Sequence, residues 1–262
     1  MITITRRDYR GGHRYYVEGD DRLDPAKALP SCTGIAGYAD NSGADGLMTW
    51  AVNLFQDTGN RLEYKDNNTA AKRVGTLLHA EIEEYIETGV GDVDKIGVPQ
   101  KHSPLFWAWY SSVNERGVEF FSQEMLVYNP YLKYGGTLDA VGDMDGRLTL
   151  FDWKTTDEYR IRRNKDGTIA QQNGKVITQR KKFDQSIGNA VQLGGYILAM
   201  KAMAEAQKTL IPEQAYIVYV FKDTLKTEWV KVNLPAAERI FTDCARLHMT
   251  MKHSKAGGLY AL

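Results

Sequence analysis

The sequence predicts an α/β protein in which helices flank a mixed central sheet, with an N-terminal hairpin and helical extension. Two observations predict this class. Segments with apolar residues at helical spacing are interleaved with segments that alternate with a period of two, which is typical of strands. The resulting order is helix, three strands, helix, strand pair, helix, and this order favours one layered domain. We expect residues 1–68 to form the extension and residues 69–262 the core.

Four segments of the predicted core have helical spacing. They cover residues 69–87, 104–117, 184–206 and 235–252. The first has an apolar stripe of Val74, Leu77, Leu78, Ile82, Tyr85 and Ile86. We expect Asn68 or Thr69 to cap its start, since short polar side chains accept the unpaired amides of a first turn. A shorter helix is predicted over residues 45–55 of the extension.

Period-two alternation predicts the strands. Three consecutive strands are expected over 118–128, 134–143 and 147–154, and a strand pair over 214–221 and 227–232. The dipeptide Asp145-Gly146 predicts a tight turn between the second and third strands. An earlier strand is expected over 14–18 as part of an N-terminal hairpin.

Composition excludes several classes of protein. The 262 residues contain 33 Lys and Arg against 33 Asp and Glu, so a uniformly basic nucleic-acid coat is excluded, although a local basic patch is not. Two cysteines are too few for a disulfide framework or a four-thiolate site. The apolar runs are too short to cross a membrane, and the first residues lack the apolar segment of a secretory signal. We therefore expect a cytoplasmic protein with no membrane partner.

The end of the third strand has the most informative pattern. Asp152 and Lys154 share a face with the aliphatic Leu148 and Leu150, so we expect an exposed carboxylate and ammonium on residues about 7 Å apart along the backbone. Asp139 lies on the preceding strand. Carboxylates from neighbouring strands make a hard oxygen site for Mg²⁺ or Mn²⁺, and a lysine beside them can stabilise charge on a phosphate. An ordinary surface ion pair is the alternative interpretation.

Two helices supply further polar candidates. Gln192 and Tyr196 are four residues apart and share a helix face. Between them lie Gly194 and Gly195, which cost helix stability and so indicate close packing or close approach of a ligand. His79 lies at the edge of the apolar stripe of the first helix, where it can reach toward a metal.

Taken in chain order, these pieces form one pattern. They are GTLLH at 75–79, Glu124, GGTLD at 135–139, DWKT at 152–155 and QLGGY at 192–196. The pattern resembles the RecB-like branch of the PD-(D/E)XK nuclease superfamily, and especially its small phage-encoded and mitochondrial genome-maintenance exonucleases. The resemblance covers about residues 75–221 and implies a restriction-endonuclease-like core.

The resemblance also implies a role for each residue. His79, Asp139, Asp152 and the backbone carbonyl of Trp153 would be metal ligands, and Lys154 the catalytic lysine. Gln192 and Tyr196 would orient this lysine or the DNA backbone, and Glu124 would lie in or next to the ligand set.

The implied activity is Mg²⁺- or Mn²⁺-dependent hydrolysis of DNA, by an exonuclease acting on ends or single strands in replication or recombination. A structure-specific endonuclease and a non-catalytic DNA-binding or recombination accessory module are the alternatives. Relatives with an iron–sulfur cluster use four cysteines, so no cluster is expected, and no GxxxxGK[ST] motif for ATP is present. DNA is the expected partner, together with a recombination or single-strand-binding protein.

A basic segment separates DWKT from QLGGY. Residues 160–182 contain eight basic side chains against one acid, and the KDG and NGK turns predict a protruding β-ribbon. A solvated, mobile loop is the alternative. We expect its cations to contact the phosphate backbone, which makes binding strongly salt-dependent. They are Arg160, Arg162, Arg163, Lys165, Lys175, Arg180, Lys181 and Lys182.

Overall fold

The central feature of the fold is a five-stranded sheet. The computed structural model describes residues 2–9, 12–40, 52–53, 55–60, 63–88, 103–164, 166–183, 186–207 and 210–253. Most of the helix predicted over 45–55, and the predicted DNA contact Lys165, lie outside these residues. The helices of the described residues include α1 (Cys32–Ala36), α2 (Glu63–Thr88), α3 (Pro104–Glu115), α4 (Ile187–Gln207) and α5 (Leu234–His253).

The strands form one large sheet and three small ones. They are β1 (Thr3–Tyr9), β2 (Gly12–Glu18), β3 (Glu119–Asn129), β4 (Tyr134–Met144), β5 (Arg147–Thr156), β6 (Tyr159–Ile161), β7 (Gln171–Gln172), β8 (Lys175–Val176), β9 (Thr178–Arg180), β10 (Gln214–Phe221) and β11 (Thr227–Lys231). The central sheet has the order β11-β10-β5-β4-β3. The β5–β10 pair is parallel and the others are antiparallel, so the predicted mixed sheet is confirmed.

The two faces of this sheet bury separate apolar clusters. On one face Leu150 packs in the cluster that includes residues of α1, α4 and α5, together with the β1–β2 hairpin. On the other face Phe151 and Trp153 pack with Leu78 of α2 and Trp109 of α3. The alternation predicted for β5 is therefore confirmed, and it places helices on both faces.

The N-terminal hairpin docks against β3 and β4. Tyr15 is buried, and a Cβ at Gly135 would lie 2.5 Å from the Tyr15 Cβ, so only glycine allows this approach. Just after the hairpin, Arg22 donates two hydrogen bonds of 2.8 Å to the buried carboxylate of Asp20. Tyr128 of β3 donates a third, at 2.9 Å. This network joins the extension to the core.

Helix α2 begins earlier than the apolar stripe predicts. It starts at Glu63, so Asn68 and Thr69 lie inside it and neither caps its start. The domain boundary predicted after residue 68 also falls inside this helix. The first turns are polar and show no apolar period, which is why periodicity missed them. Leu77 of the predicted stripe is 54% exposed, whereas Leu78 and Ile82 are buried.

Two local predictions from glycines are confirmed. Asp145 and Gly146 both have positive φ, +58° and +71°, which defines the tight turn between β4 and β5. In α4, a Cβ at Gly194 would lie 2.4 Å from the Ala237 carbonyl carbon of α5. At Gly195 it would lie 2.4 Å from the Phe241 ring. The glycine pair therefore permits close helix packing.

The basic segment forms a β-ribbon, as predicted. At its base β6 pairs with β9, and at its tip β7 pairs with β8 around a turn at Asn173 and Gly174. The Lys181 N–H donates to the Glu158 carbonyl at 2.9 Å, so the two ends of the ribbon meet. Among the helices in the described ranges, none combines the length and apolar character that a membrane crossing needs.

Candidate active site

The candidate site lies where β4 and β5 stop pairing. The last paired residues are Ala140 and Phe151, although both strands continue beyond them. There the side chain of Asp139 takes over the role of a backbone acceptor: its Oδ2 accepts the Trp153 N–H at 2.7 Å. The divergence of the strands leaves room for polar side chains between two buried layers.

His79 of α2 enters this gap from one side. Its Nε2 lies 3.2 Å from the Trp153 carbonyl, and because a carbonyl only accepts, Nε2 carries the hydrogen. In the neutral ring, Nδ1 then has a lone pair, and it lies 3.8 Å from Asp139 Oδ1. One turn earlier, a Cβ at Gly75 would lie 3.2 Å from Thr155 Oγ1, so glycine helps α2 to approach β5.

Glu124 of β3 completes a group of three. One ligand atom from each of His79, Glu124 and Asp139 lies within 4.8 Å of the other two. Glu124 has a φ of +44°, an unusual value for a residue with a side chain, so its backbone is strained at this site. Burial raises the pKa of the Glu124 carboxyl, and the charges of Asp139 and Glu83 raise it further.

Next to this group of three, Asp152 and Lys154 form an ion pair whose carboxylate is buried. Lys154 Nζ lies 2.5 Å from Asp152 Oδ2, and the carboxylate is completely buried, which corrects the expectation that it is exposed. The apolar layers cover the strand end and exclude water from the carboxylate. The structure does not bring Asp152 into the group of His79, Glu124 and Asp139.

The pKa values of Asp152 and Lys154 depend on burial and on the charge of the partner. Burial raises the pKa of the Asp152 carboxyl to about 6, against the opposing effect of the Lys154 ammonium. For Lys154 burial lowers the pKa, but the carboxylates of Asp152 and Asp139 outweigh it, so the net shift is upward. At neutral pH Lys154 is therefore an ammonium, able to donate hydrogen bonds but not to accept a proton.

Gln192 and Tyr196 of α4 lie behind this pair, as their shared helix face predicts. The Gln192 amide donates to the Tyr196 hydroxyl at 2.8 Å and to Asp152 Oδ1 at 3.4 Å. Both side chains are buried. Gln192 therefore contacts Asp152 directly, and Tyr196 is linked to this carboxylate through the Gln192 amide.

Sequence reasoning missed a residue from the extension. Arg6 of β1 reaches the site: its Nη1 lies 3.5 Å from Glu124 Oε2 and donates to Thr137 Oγ1 at 3.3 Å. Nothing in the local pattern of β1 indicates this contact, because it depends on where the hairpin docks. Thr137, by contrast, lies within the GGTLD segment and was a detectable signal.

Two predicted DNA contacts on the ribbon are engaged elsewhere. The guanidinium of Arg163 forms an ion pair with Asp57. Arg180 is paired with Glu158 at 2.7 Å and also with Glu228. These partners offset much of the positive charge of both arginines.

The remaining described cations of the ribbon are more available. Arg160, Arg162, Lys175 and Lys182 are exposed. Lys181 is half-buried and donates to Thr156 Oγ1 at 3.1 Å, and burial lowers its pKa. A cleft of about 490 Å³ is lined by Arg160, Gln179, Arg180, Lys181 and Lys182. The first strand of the ribbon begins five residues after Lys154, so this basic surface is connected to the site by a short stretch of chain.

The donor set suits a divalent cation. Two carboxylates and an imidazole nitrogen are ligands that Mn²⁺ accepts, and carboxylate oxygens are those that Mg²⁺ prefers. Among the described residues, the carboxylates of Glu124, Asp139 and Asp152 face the cations Arg6 and Lys154, and the charge of Glu83 also acts on Glu124. A bound cation would offset the remaining negative charge.

Comparison with known proteins adds little to this description. No protein-family model and no curated protein matches the sequence. Among solved structures, the crystal structure of SSO0001 is similar, with 14% identity over 79% of this chain and 72% of that chain. The TM-score is 0.33, so this similarity supports no conclusion about fold or function.

Proposed function

We propose that this protein is a metal-dependent deoxyribonuclease with a PD-(D/E)XK core of the RecB-like type, acting as an exonuclease on DNA ends or single strands. The observation that carries the proposal is that the group of His79, Glu124 and Asp139 lies close enough to the Lys154–Asp152 ion pair for the charges of Asp139 and His79 to act on it. These residues come from four different elements, α2, β3, β4 and β5, and meet where two strands diverge.

His79, Glu124 and Asp139 are the residues that would hold Mg²⁺ or Mn²⁺. When bound, a divalent cation supplies positive charge that polarises a phosphodiester and acidifies water. The chain holds its ligands in place for this role. Trp153 fixes two of them, because its N–H bonds Asp139 and its carbonyl accepts from His79.

Lys154 is the residue that we expect to contact the reacting phosphate. The Lys154 side chain is 28% exposed, so a ligand can reach it, and Asp152 pairs with its ammonium from the buried side. Because its pKa is raised, it acts by donating hydrogen bonds to oxygen as negative charge develops there. Gln192 and Tyr196 position the lysine through Asp152.

DNA is the proposed substrate because of the ribbon. Its exposed arginines and lysines can neutralise successive phosphates of a nucleic-acid backbone. A chain with no net charge that concentrates cations beside a carboxylate site matches a polyanionic substrate better than a small neutral one. The exonuclease preference comes from the family resemblance, and the experiment below tests it.

The test is a cleavage assay on end-labelled linear single strands, linear duplex and closed circular single strands, with Mg²⁺, Mn²⁺ or EDTA. We expect metal-dependent loss of linear substrates only. Cleavage of the circular strands would show that the activity is that of an endonuclease and not of an exonuclease. Binding of DNA without cleavage in the presence of either metal would contradict the proposed nuclease activity. It would favour the alternative, a non-catalytic DNA-binding module.

Matched variants connect the activity to the site. Asp139→Asn should abolish cleavage, whereas Glu119→Gln, an exposed acid at the start of β3, should not change it. Equal activity in both variants would rule out the proposed site, whatever the wild-type protein cuts.

A further inference from the structure

Arg6 places the N-terminal hairpin in contact with the candidate site. Its position is fixed by strand register, since Arg6 pairs with Tyr15 and both side chains reach the same residue of β4. Arg6 Nη1 and the Tyr15 hydroxyl lie 3.3 Å and 3.1 Å from Thr137 Oγ1. Two residues after Thr137, β4 supplies Asp139. Thr137 is thus the shared partner of the guanidinium and of a buried tyrosine, close to the carboxylates.

The hydrogen-bonding capacity of this guanidinium is mostly unused. Arginine has five N–H donors, and among the described residues the one hydrogen bond that Arg6 donates goes to Thr137. Its ion pairs are long, 3.5 Å to Glu124 Oε2 and 3.6 Å to Asp8 Oδ1. The side chain is 36% exposed. A planar fork with open donors suits the non-bridging oxygens of a phosphate.

We propose that Arg6 binds a phosphate of the nucleic-acid backbone at the active site, so that the N-terminal hairpin forms part of the substrate-binding surface. This inference rests on the proposed function. Arg6 lies 3.5 Å from Glu124, whose ligand atom is within 4.8 Å of those of His79 and Asp139, so the phosphate bound by Arg6 is the reacting one or its immediate neighbour. A hairpin that only stabilised the fold would need no open guanidinium here.

The adjacent residue provides a matched control. Arg7 is on the same strand, carries the same charge and is exposed. Its guanidinium stacks over the Tyr16 ring at 4.4 Å. Successive residues of a strand point to opposite faces, so Arg7 points away from the face on which Arg6 meets Thr137.

The experiment measures DNA binding without turnover. Affinity for a labelled single-stranded oligonucleotide would be measured against salt concentration, for the wild-type protein in EDTA and for the Lys154→Met protein with Mn²⁺. In both, we expect Arg6→Gln to reduce the slope of log K against log salt by about one, as expected for one lost phosphate contact. Arg6→Lys should restore the slope, and Arg7→Gln should leave it unchanged.

Tyr15→Phe tests whether the effect arises from hairpin docking alone. This variant loses the hydroxyl contact with Thr137 but keeps Arg6, so it should bind DNA with the wild-type slope. An equal loss in Tyr15→Phe or Arg7→Gln, or no loss in Arg6→Gln, would overturn the inference. Absence of DNA binding in both parent proteins would also overturn it.

The test of Arg6 and the test of the nuclease activity can give different results. If the wild-type protein cuts DNA but Arg6→Gln binds and cuts normally, the proposed function stands and the Arg6 inference fails. If the wild-type protein cuts nothing but its DNA binding depends on Arg6, the nuclease proposal fails and Arg6 is a phosphate contact of a DNA-binding protein without the proposed activity.

Discussion

Asp139 serves as a backbone partner for Trp153: its Oδ2 accepts the Trp153 N–H at 2.7 Å, beyond the last paired residues of β4 and β5. Its other oxygen, Oδ1, lies 3.8 Å from His79 Nδ1. One carboxylate therefore both satisfies an amide that the sheet leaves unpaired and faces the group of possible ligands. Ligand geometry and sheet geometry are coupled at this residue.

Asp139→Asn should separate these two roles. The amide oxygen can still accept the Trp153 N–H, so stability without metal should stay close to that of the wild-type protein. Stabilisation by Mn²⁺ should be lost, whereas the wild-type protein gains about 2.7 kcal/mol when the free ion is about 100 times its Kd. Thermal unfolding with and without Mn²⁺ measures both quantities. Glu119→Gln should behave as wild type, and Mn²⁺ stabilisation of Asp139→Asn equal to wild type would contradict the site.

Lys154→Met should cost both stability and activity, and a second substitution should restore only stability. The Lys154→Met change leaves the buried Asp152 carboxylate without its ion partner, which should lower the free energy of unfolding by at least about 2 kcal/mol. Adding Asp152→Asn removes that charge, so the double variant should be more stable than Lys154→Met in urea unfolding. Cleavage should stay at least about 10²-fold below wild type in both.

A surface ion pair provides the control for this prediction. Lys222 Nζ lies 3.3 Å from Asp157 Oδ1, and the Asp157 side chain is 47% exposed. Lys222→Met should therefore change stability by no more than about 1 kcal/mol. A double Asp152→Asn/Lys154→Met protein no more stable than Lys154→Met would show that the buried charge is not the cause.

Neighbouring arginines of the ribbon should differ in their effect on DNA binding. Arg162 is exposed, whereas Arg163 is paired with Asp57. Arg162→Gln should lower the salt slope of binding by about one. The double variant Asp57→Asn/Arg163→Gln, which keeps the net charge, should leave the slope unchanged. Fluorescence anisotropy over a salt series tests this, and equal slopes for both variants would argue against a contact at Arg162.

Asp20 should make stability depend on acid pH. Hydrogen bonds from Arg22, and with them that of Tyr128, lower the pKa of this carboxyl to about 2 in the folded protein. A carboxyl with a lowered pKa contributes stability above its unfolded pKa, near 3.9, and this contribution is lost as the pH falls from about 4 to about 2. Asp20→Asn should therefore cost about 1–2 kcal/mol at neutral pH and much less at the acid end.

Urea unfolding at several pH values measures this difference. Asp21→Asn, a change at the exposed neighbour, should match wild type throughout. A difference between Asp20→Asn and wild type that stays constant down to the acid end would contradict the role of the ionised carboxylate.

Local signals predicted most of the core, because strands and helices there alternate buried and exposed residues with regular periods. The faces of β5 follow directly from those periods, and the turn at Asp145 follows from the Asp-Gly dipeptide. The burial of Asp152 does not, because its charge indicates solvent unless the covering layers are known. The contact of Arg6 with Glu124 depends on the docking of a distant hairpin, and no short-range pattern encodes it.

The two ends of the basic ribbon meet at the hydrogen bond between the Lys181 N–H and the Glu158 carbonyl. Residues 159–180 consequently leave and rejoin the domain at nearly one point, on the connection between β5 and α4. Such an insertion can be shortened, lengthened or exchanged without moving β5 or α4. If the ribbon binds DNA as we propose, DNA binding can diversify in this insertion while the carboxylates and the lysine keep their geometry.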